Sequence, residues 1–66
     1  MINLYTLPNC PICNVMKKKL SSKNIQFNEL NLEDYISELG EYAPVLEVNN
    51  HYYKTPSEIN NWLNQQ

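Results

Sequence analysis

Apolar side chains occur in this chain as short runs whose period switches repeatedly between that of a strand and that of a helix. Ile2, Leu4, Tyr5 and Leu7 alternate with polar positions well enough for a first strand, Ile2 to Leu7, which Pro8-Asn9 breaks. From Pro11 onward the spacing becomes helical, with Ile12, Val15, Met16 and Leu20 on one face. Pro11 suits the first helical position, Lys17, Lys18, Lys19 and Lys23 crowd the end where positive charge meets the dipole favourably, and Asn24 is expected to cap it. Lys19 falls inside the apolar stripe, so it must snorkel or mark that face as partly open.

Ile25 to Leu32 predicts a second strand, dense enough in apolar residues for an interior position, and Glu33 to Leu39 a short helix ended by the sole glycine, Gly40. Strand, helix, strand implies a parallel pair joined by a right-handed crossover. Val45 to Val48 and Tyr52 to Lys54 flank Asn49-Asn50, a pair tolerant of positive φ and suited to a two-residue hairpin turn, with His51 opening the return strand. Thr55-Pro56-Ser57-Glu58 is a capping box with proline in the first helical position, and Ile59, Trp62 and Leu63 place one face of the last helix on the sheet. The expected order is β-α-β-α-β-β-α, an α/β fold with a four-stranded mixed sheet and three helices.

At 66 residues the chain makes one domain, 1–66, which buries only about 60% of its unfolded surface and leaves little room for a large cavity. No apolar stretch approaches the ~18 residues that span a bilayer, and the first seven residues lack the basic lead of a secretory signal, so a cytoplasmic protein without membrane contact is expected. There is no arginine, and seven acids outnumber five lysines, which argues against a phosphate-tracking surface and against nucleic acid as a partner.

Reactive chemistry is concentrated in Cys10-Pro11-Ile12-Cys13, which holds both cysteines. A bridge across four residues closes almost no loop and constrains the unfolded chain little, so stabilising the fold is a poor use for it. Two thiols at the start of a helix are instead placed to open and close a disulfide. Free N–H groups and the helix dipole favour a thiolate at Cys10, while Cys13 lies a turn in and is more buried. Cys10 attacks a substrate disulfide and Cys13 resolves the mixed disulfide. The plainer alternatives are two inert thiols or half a zinc site. Zinc takes about four ligands, and His51, expected far along the sheet, is the one further imidazole or thiolate ligand, so no metal site is predicted within one chain.

Specific residues add a family likeness. Tyr5-Thr6-Leu7-Pro8-Asn9-Cys10-Pro11-Ile12-Cys13 resembles the active-site segment of the glutaredoxins, Phe27-Asn28-Glu29-Leu30-Asn31-Leu32 resembles their second strand, and Tyr42-Ala43-Pro44 falls where that family carries its cis-proline tripeptide. The resemblance implies a minimal thioredoxin-like, that is glutaredoxin-like, fold and a thiol-disulfide oxidoreductase that reduces protein or glutathione mixed disulfides, among them those of ribonucleotide reductase. It implies a cis Ala43-Pro44 bond, with the Ala43 backbone pairing with a bound peptide or glutathione beside Cys10. Substrate contacts are then expected at Tyr5, Pro8, Pro11, Ile12, Ala43 and Pro44, with Lys54 or the Thr55-capped helix N-terminus receiving a carboxylate.

Two departures from the family bear on the electron source. Glutaredoxins commonly carry a lysine where this chain has Leu7, and a glycine pair followed by an acid where it has Tyr53-Lys54 and then Thr55-Pro56-Ser57. Those positions hold the carboxylates of glutathione and let its backbone approach. Two reductants are therefore carried forward, glutathione and a thioredoxin-reductase-type flavoenzyme, with no resident cofactor and a monomeric protein. The alternative from another class is a thioredoxin-like binding module, non-catalytic or bridged by zinc between two chains. His51 is read as a surface residue, Trp62 as core, and Lys17 as a solvated helix residue at a basic position common in the family; for Tyr5, Tyr42, Tyr52 and Tyr53 the sequence does not choose between groove and packing.

Overall fold

The computed structural model describes residues 1–66. Strand β1 (Ile2–Thr6) leads into helix α1 (Pro11–Ser22), strand β2 (Asn28–Asn31), a 3-10 turn (Leu32–Tyr35), helix α2 (Ile36–Leu39), strands β3 (Val45–Val48) and β4 (His51–Tyr53), and helix α3 (Pro56–Asn64). The sheet order is β2-β1-β3-β4, with β1 and β2 parallel and the other pairs antiparallel. The architecture expected from the sequence is therefore present.

Alternation along the central strands divides the core into two clusters. Leu4 and Leu46 point to one face of the sheet, where they meet Met16 and Leu20 of α1 and Ile59 and Leu63 of α3. Tyr5 and Val45 point to the other face, against Leu32 and Leu39. Both follow from the period-two geometry of strands, which sends neighbouring residues to opposite faces.

Local chemistry ends α1 as a Schellman motif built on asparagine. Asn24 adopts φ 58°, its N–H donates to the Ser21 carbonyl at 3.0 Å, and the Ile25 N–H donates to the Leu20 carbonyl at 3.0 Å. The cap residue itself is Lys23, and Asn24 is the left-handed residue that follows it. Lys19 is exposed and reaches across to α3, its Nζ donating to Asn60 Oδ1 at 2.8 Å, so the apolar stripe narrows there. The hairpin turns on Asn49 and Asn50, both at positive φ, as a type I′ connection requires. Thr55 caps α3, its hydroxyl oxygen accepting from the Glu58 N–H at 3.2 Å.

Four sequence expectations are corrected. The second strand is shorter than Ile25 to Leu32, because Ile25 is consumed by the helix end and Phe27 packs beside the first core cluster before β2 begins. It is also an edge strand, with three of its four residues exposed. The segment after it does not enter a helix directly: the Asn31 side chain accepts the Glu33 N–H at 3.0 Å and sets up the 3-10 turn, leaving a single α-helical turn before Gly40. Trp62 lies at the margin of the first cluster, half-buried, with its ring centroid 6.3 Å from that of Tyr53.

Beneath the second face, Glu47 organises a polar set. Its Oε1 accepts from Asn3 Nδ2 at 3.0 Å and from Tyr5 Oη at 2.8 Å, and the Asn3 bond first, then the Tyr5 bond, hold its carboxyl below the ordinary 4.5. Burial, reinforced by the Glu47 carboxylate, pushes the Tyr5 phenol far above its ordinary 10.0. The unfolded chain releases that proton first, so the stabilisation is complete below pH 10.0 and declines as the pH rises beyond it. In an alkaline titration followed by tyrosinate absorbance and circular dichroism, the Tyr5 signal appears together with loss of the fold. Tyr5→Phe removes that linked step; a Tyr5 signal that develops while the fold stays intact contradicts the assignment.

Candidate functional site

Cys10 lies where β1 has ended and α1 has not yet begun. Asn9, at φ 58°, turns the chain, and Cys10 takes extended backbone angles as the residue immediately before the helix. Its sulfur accepts the Cys13 N–H at 3.1 Å, the role an aspartate or serine oxygen plays at other helix starts. Its carbonyl accepts the Asn14 N–H at 3.2 Å, the first bond of the helical ladder. Pro11 occupies the first helical position, where its missing N–H leaves no bond unmade.

Cys13, one turn into α1, is 1% exposed, whereas Cys10 is half-buried and lines an open cleft of about 380 Å³. The two are joined in a disulfide with their Cα atoms 5.2 Å apart. One sulfur is thus reachable and bonded to a backbone donor, and the other is shielded.

Strand register brings the remaining candidates to this end of the sheet. Tyr5 pairs with Val45, so Ala43 and Pro44, just before β3, lie at the end from which the cysteine loop departs. The Ala43-Pro44 bond is cis, as the resemblance implied. Tyr53 pairs with Leu46, so Lys54 and Thr55 leave β4 toward the same end, both exposed. Pro8, Pro11 and Ile12 are exposed around the cysteines, and Tyr42 is 84% exposed next to Ala43. Tyr5 goes elsewhere. It is buried against the Tyr35 ring, edge to face at 4.9 Å, with its hydroxyl on Glu47, and it does not line the cleft.

The cleft contains a polar trio that the sequence reading did not single out as a unit. Thr6 Oγ1 donates to Glu29 Oε2 at 2.9 Å, and Lys17 Nζ donates to the same oxygen at 3.1 Å. The Thr6 hydroxyl first, and then the Lys17 ammonium, hold the Glu29 carboxyl below its ordinary 4.5. A signal for this trio existed in the alternation: Leu4 and Thr6 share a face of β1, and Glu29, paired with Leu4, faces the same way. Only the parallel register reveals the partnership.

Elsewhere the surface offers less chemistry. A larger depression of about 600 Å³ near Ile2, Ile25 and Phe27 has no cysteine and no acidic or basic side chain in its lining. His51 is exposed at the opposite end of the sheet from the cysteines, paired with Val48 and packed on the Tyr53 ring at 4.5 Å. No three histidine, cysteine or acidic side chains converge as metal ligands, and no helix is long and apolar enough to cross a membrane.

Known proteins share both the segment and the fold. A curated relative, an uncharacterized glutaredoxin-like 8.6 kDa protein of the rubredoxin operon of Clostridium pasteurianum, is 45% identical over 38 residues, 58% of this chain. The chain spans about half the length of that relative, 51%. Among solved structures, the glutaredoxin-like protein NrdH-redoxin from Escherichia coli superposes with a TM-score of 0.70 over 91% of both chains at 20% identity. A mutant thioredoxin-like protein does so with the same TM-score over 83% of this chain and 85% of its own, at 19% identity. Both likenesses establish the thioredoxin-like fold. The glutaredoxin family model matches residues 2–53, from the first strand through the last and across both cysteines and the cis-proline, and the chain accordingly belongs to the glutaredoxin family.

Proposed function

We propose that the protein is a dithiol-disulfide oxidoreductase that reduces disulfides of protein substrates through Cys10. The observation that carries this reading is the contrast between the two sulfurs: Cys10 open to a cleft and bonded to a helix N–H, Cys13 shielded behind it. A backbone donor at 3.1 Å stabilises negative charge on the attacking sulfur, and the helix dipole adds to it.

In the reaction, the Cys10 thiolate attacks one sulfur of the substrate disulfide. That S–S bond breaks, a mixed disulfide forms at Cys10, and the leaving thiolate takes a proton from water. Cys13, deprotonated, then attacks Cys10 Sγ, releasing the second substrate thiolate and closing the Cys10–Cys13 ring. Two electrons have passed to the substrate. Two molecules of glutathione, oxidised to glutathione disulfide, or the dithiol of a flavoenzyme return them. No resident cofactor is needed for sulfur exchange of this kind.

On this reading the extended substrate lies across the exposed Pro8, Pro11 and Ile12, with the Ala43 backbone as its strand-like partner, while Pro44, fully buried, holds that backbone in place instead of touching the substrate. Lys54 and Thr55 stand at the same end of the sheet to meet a carboxylate. We favour a thioredoxin-reductase-type flavoenzyme over glutathione as reductant, since Leu7 supplies no charge and Tyr53-Lys54 replaces the glycine pair. The thioredoxin-like activity profile of the similarly folded NrdH-redoxin supports that choice. The reading extends to a monomeric cytoplasmic donor for ribonucleotide reductase.

Trapping tests it. Cys13→Ser, mixed with a disulfide-bonded protein under oxidising conditions, is expected to accumulate one covalent adduct at Cys10, detected by mass spectrometry and released by dithiothreitol. If no adduct forms with either a protein disulfide or glutathione disulfide, the reading fails and a non-catalytic module takes its place.

A further inference from the structure

The cleft beside Cys10 has two charged lining residues, Lys17 and Glu29, and they are paired with each other. Lys17 alone would give the reacting sulfur a positive neighbourhood, attractive to glutathione, which carries two carboxylates against one ammonium. Glu29 cancels that field at short range. Thr6, 8% exposed, anchors the carboxylate from beneath, so the pairing does not rest on two mobile surface side chains.

The geometry also leaves an acceptor facing outward. Both donors converge on Oε2, and no protein group donates to Oε1. The Glu29 side chain is the more open of the pair, 45% exposed against 33% for Lys17. A carboxylate oxygen without a protein donor, in the cleft of the attacking sulfur, suits a cationic group on the incoming chain.

We propose that Glu29 is a specificity-determining residue that turns the cleft from anionic thiol compounds toward disulfides flanked by a basic residue. This rests on the oxidoreductase reading above and names the substrate class for the same site. Glu29 does no sulfur chemistry; it sets which disulfide dwells beside Cys10 long enough to react.

Single-turnover kinetics decide the matter. Fully reduced protein is mixed with two peptide disulfides that are identical except for a lysine or a glutamate next to one cysteine, and thiol release is followed for each. The wild type is expected to reduce the lysine peptide faster. Glu29→Gln shifts the ratio of the two rates toward the glutamate peptide by about sevenfold, because an unpaired charge ~7 Å away in water is worth about threefold per unit charge and the two peptides differ by two charges. Lys17→Gln shifts it the opposite way, and both shifts shrink as salt is added. A wild type that prefers the glutamate peptide, or a ratio that neither substitution moves, overturns the proposal while leaving the oxidoreductase reading intact. A wild type that reduces neither peptide overturns the oxidoreductase reading, and this proposal with it.

Discussion

Cys10→Ser loses thiol-disulfide exchange by at least about a thousandfold, the scale on which removal of a nucleophile is felt. A serine hydroxyl is not ionised at neutral pH, and the remaining thiol, Cys13, is 1% exposed. A substrate sulfur has no path to it without opening the start of α1. Cys13→Ser behaves differently, since it keeps the attacking sulfur and loses the resolving one. Attack still occurs, and turnover then depends on a second thiol from solution to clear the mixed disulfide. The measurement is stopped-flow reduction of a protein disulfide by each reduced variant, with the fold checked by circular dichroism. Equal residual rates in the two variants would remove the division of labour between Cys10 and Cys13.

Leu46→Ala is expected to remove most of the stability of the domain. Leu46 is fully buried on β3, an interior strand, and packs in the cluster that joins α1 and α3 to the sheet. Truncating such a leucine costs about 2–5 kcal/mol, because transfer energy is lost and a cavity remains. A domain of 66 residues has roughly 3–10 kcal/mol in total, at about 0.05–0.15 kcal/mol per residue. Urea denaturation followed by Trp62 fluorescence should therefore show a midpoint moved to much lower urea with a similar slope. A Leu46→Ala protein within about 1 kcal/mol of wild type would mean that this side of the core collapses around the cavity.

How far the sequence spoke for the structure depended on the range of each interaction. The helix start at Cys10, the proline behind it, the asparagine turn and the Thr55 cap are governed by hydrogen bonds and backbone preferences within a few residues. They are legible residue by residue, and the structure has them in place. The second strand was harder. Ile25 has the side chain of a strand residue, yet its N–H closes the end of α1, and local hydrogen bonding outweighs β-propensity there. Its place at the edge of the sheet was not legible, because apolar density does not distinguish side chains covered by a helix end from those covered by neighbouring strands.

The site divides in the same way. The reactive pair was readable because its two members are three positions apart on one helix and their relation is fixed by that helix. Tyr5 and Glu29 were not. Tyr5 has the look of a groove residue, and its fate was set by Glu47, 42 positions away, which takes its hydroxyl into the far side of the sheet.

Sequence alone therefore determined the chemistry, a dithiol at a helix start, and the order of the elements. Tertiary structure decided which side chains share the cleft with that dithiol. Thr6, Lys17 and Glu29 come from three different elements and meet on one oxygen only because β1 and β2 run parallel in one register with α1 across them. Register is settled by burying Leu4 and Tyr5 on opposite faces at once, a condition imposed by residues distant along the chain.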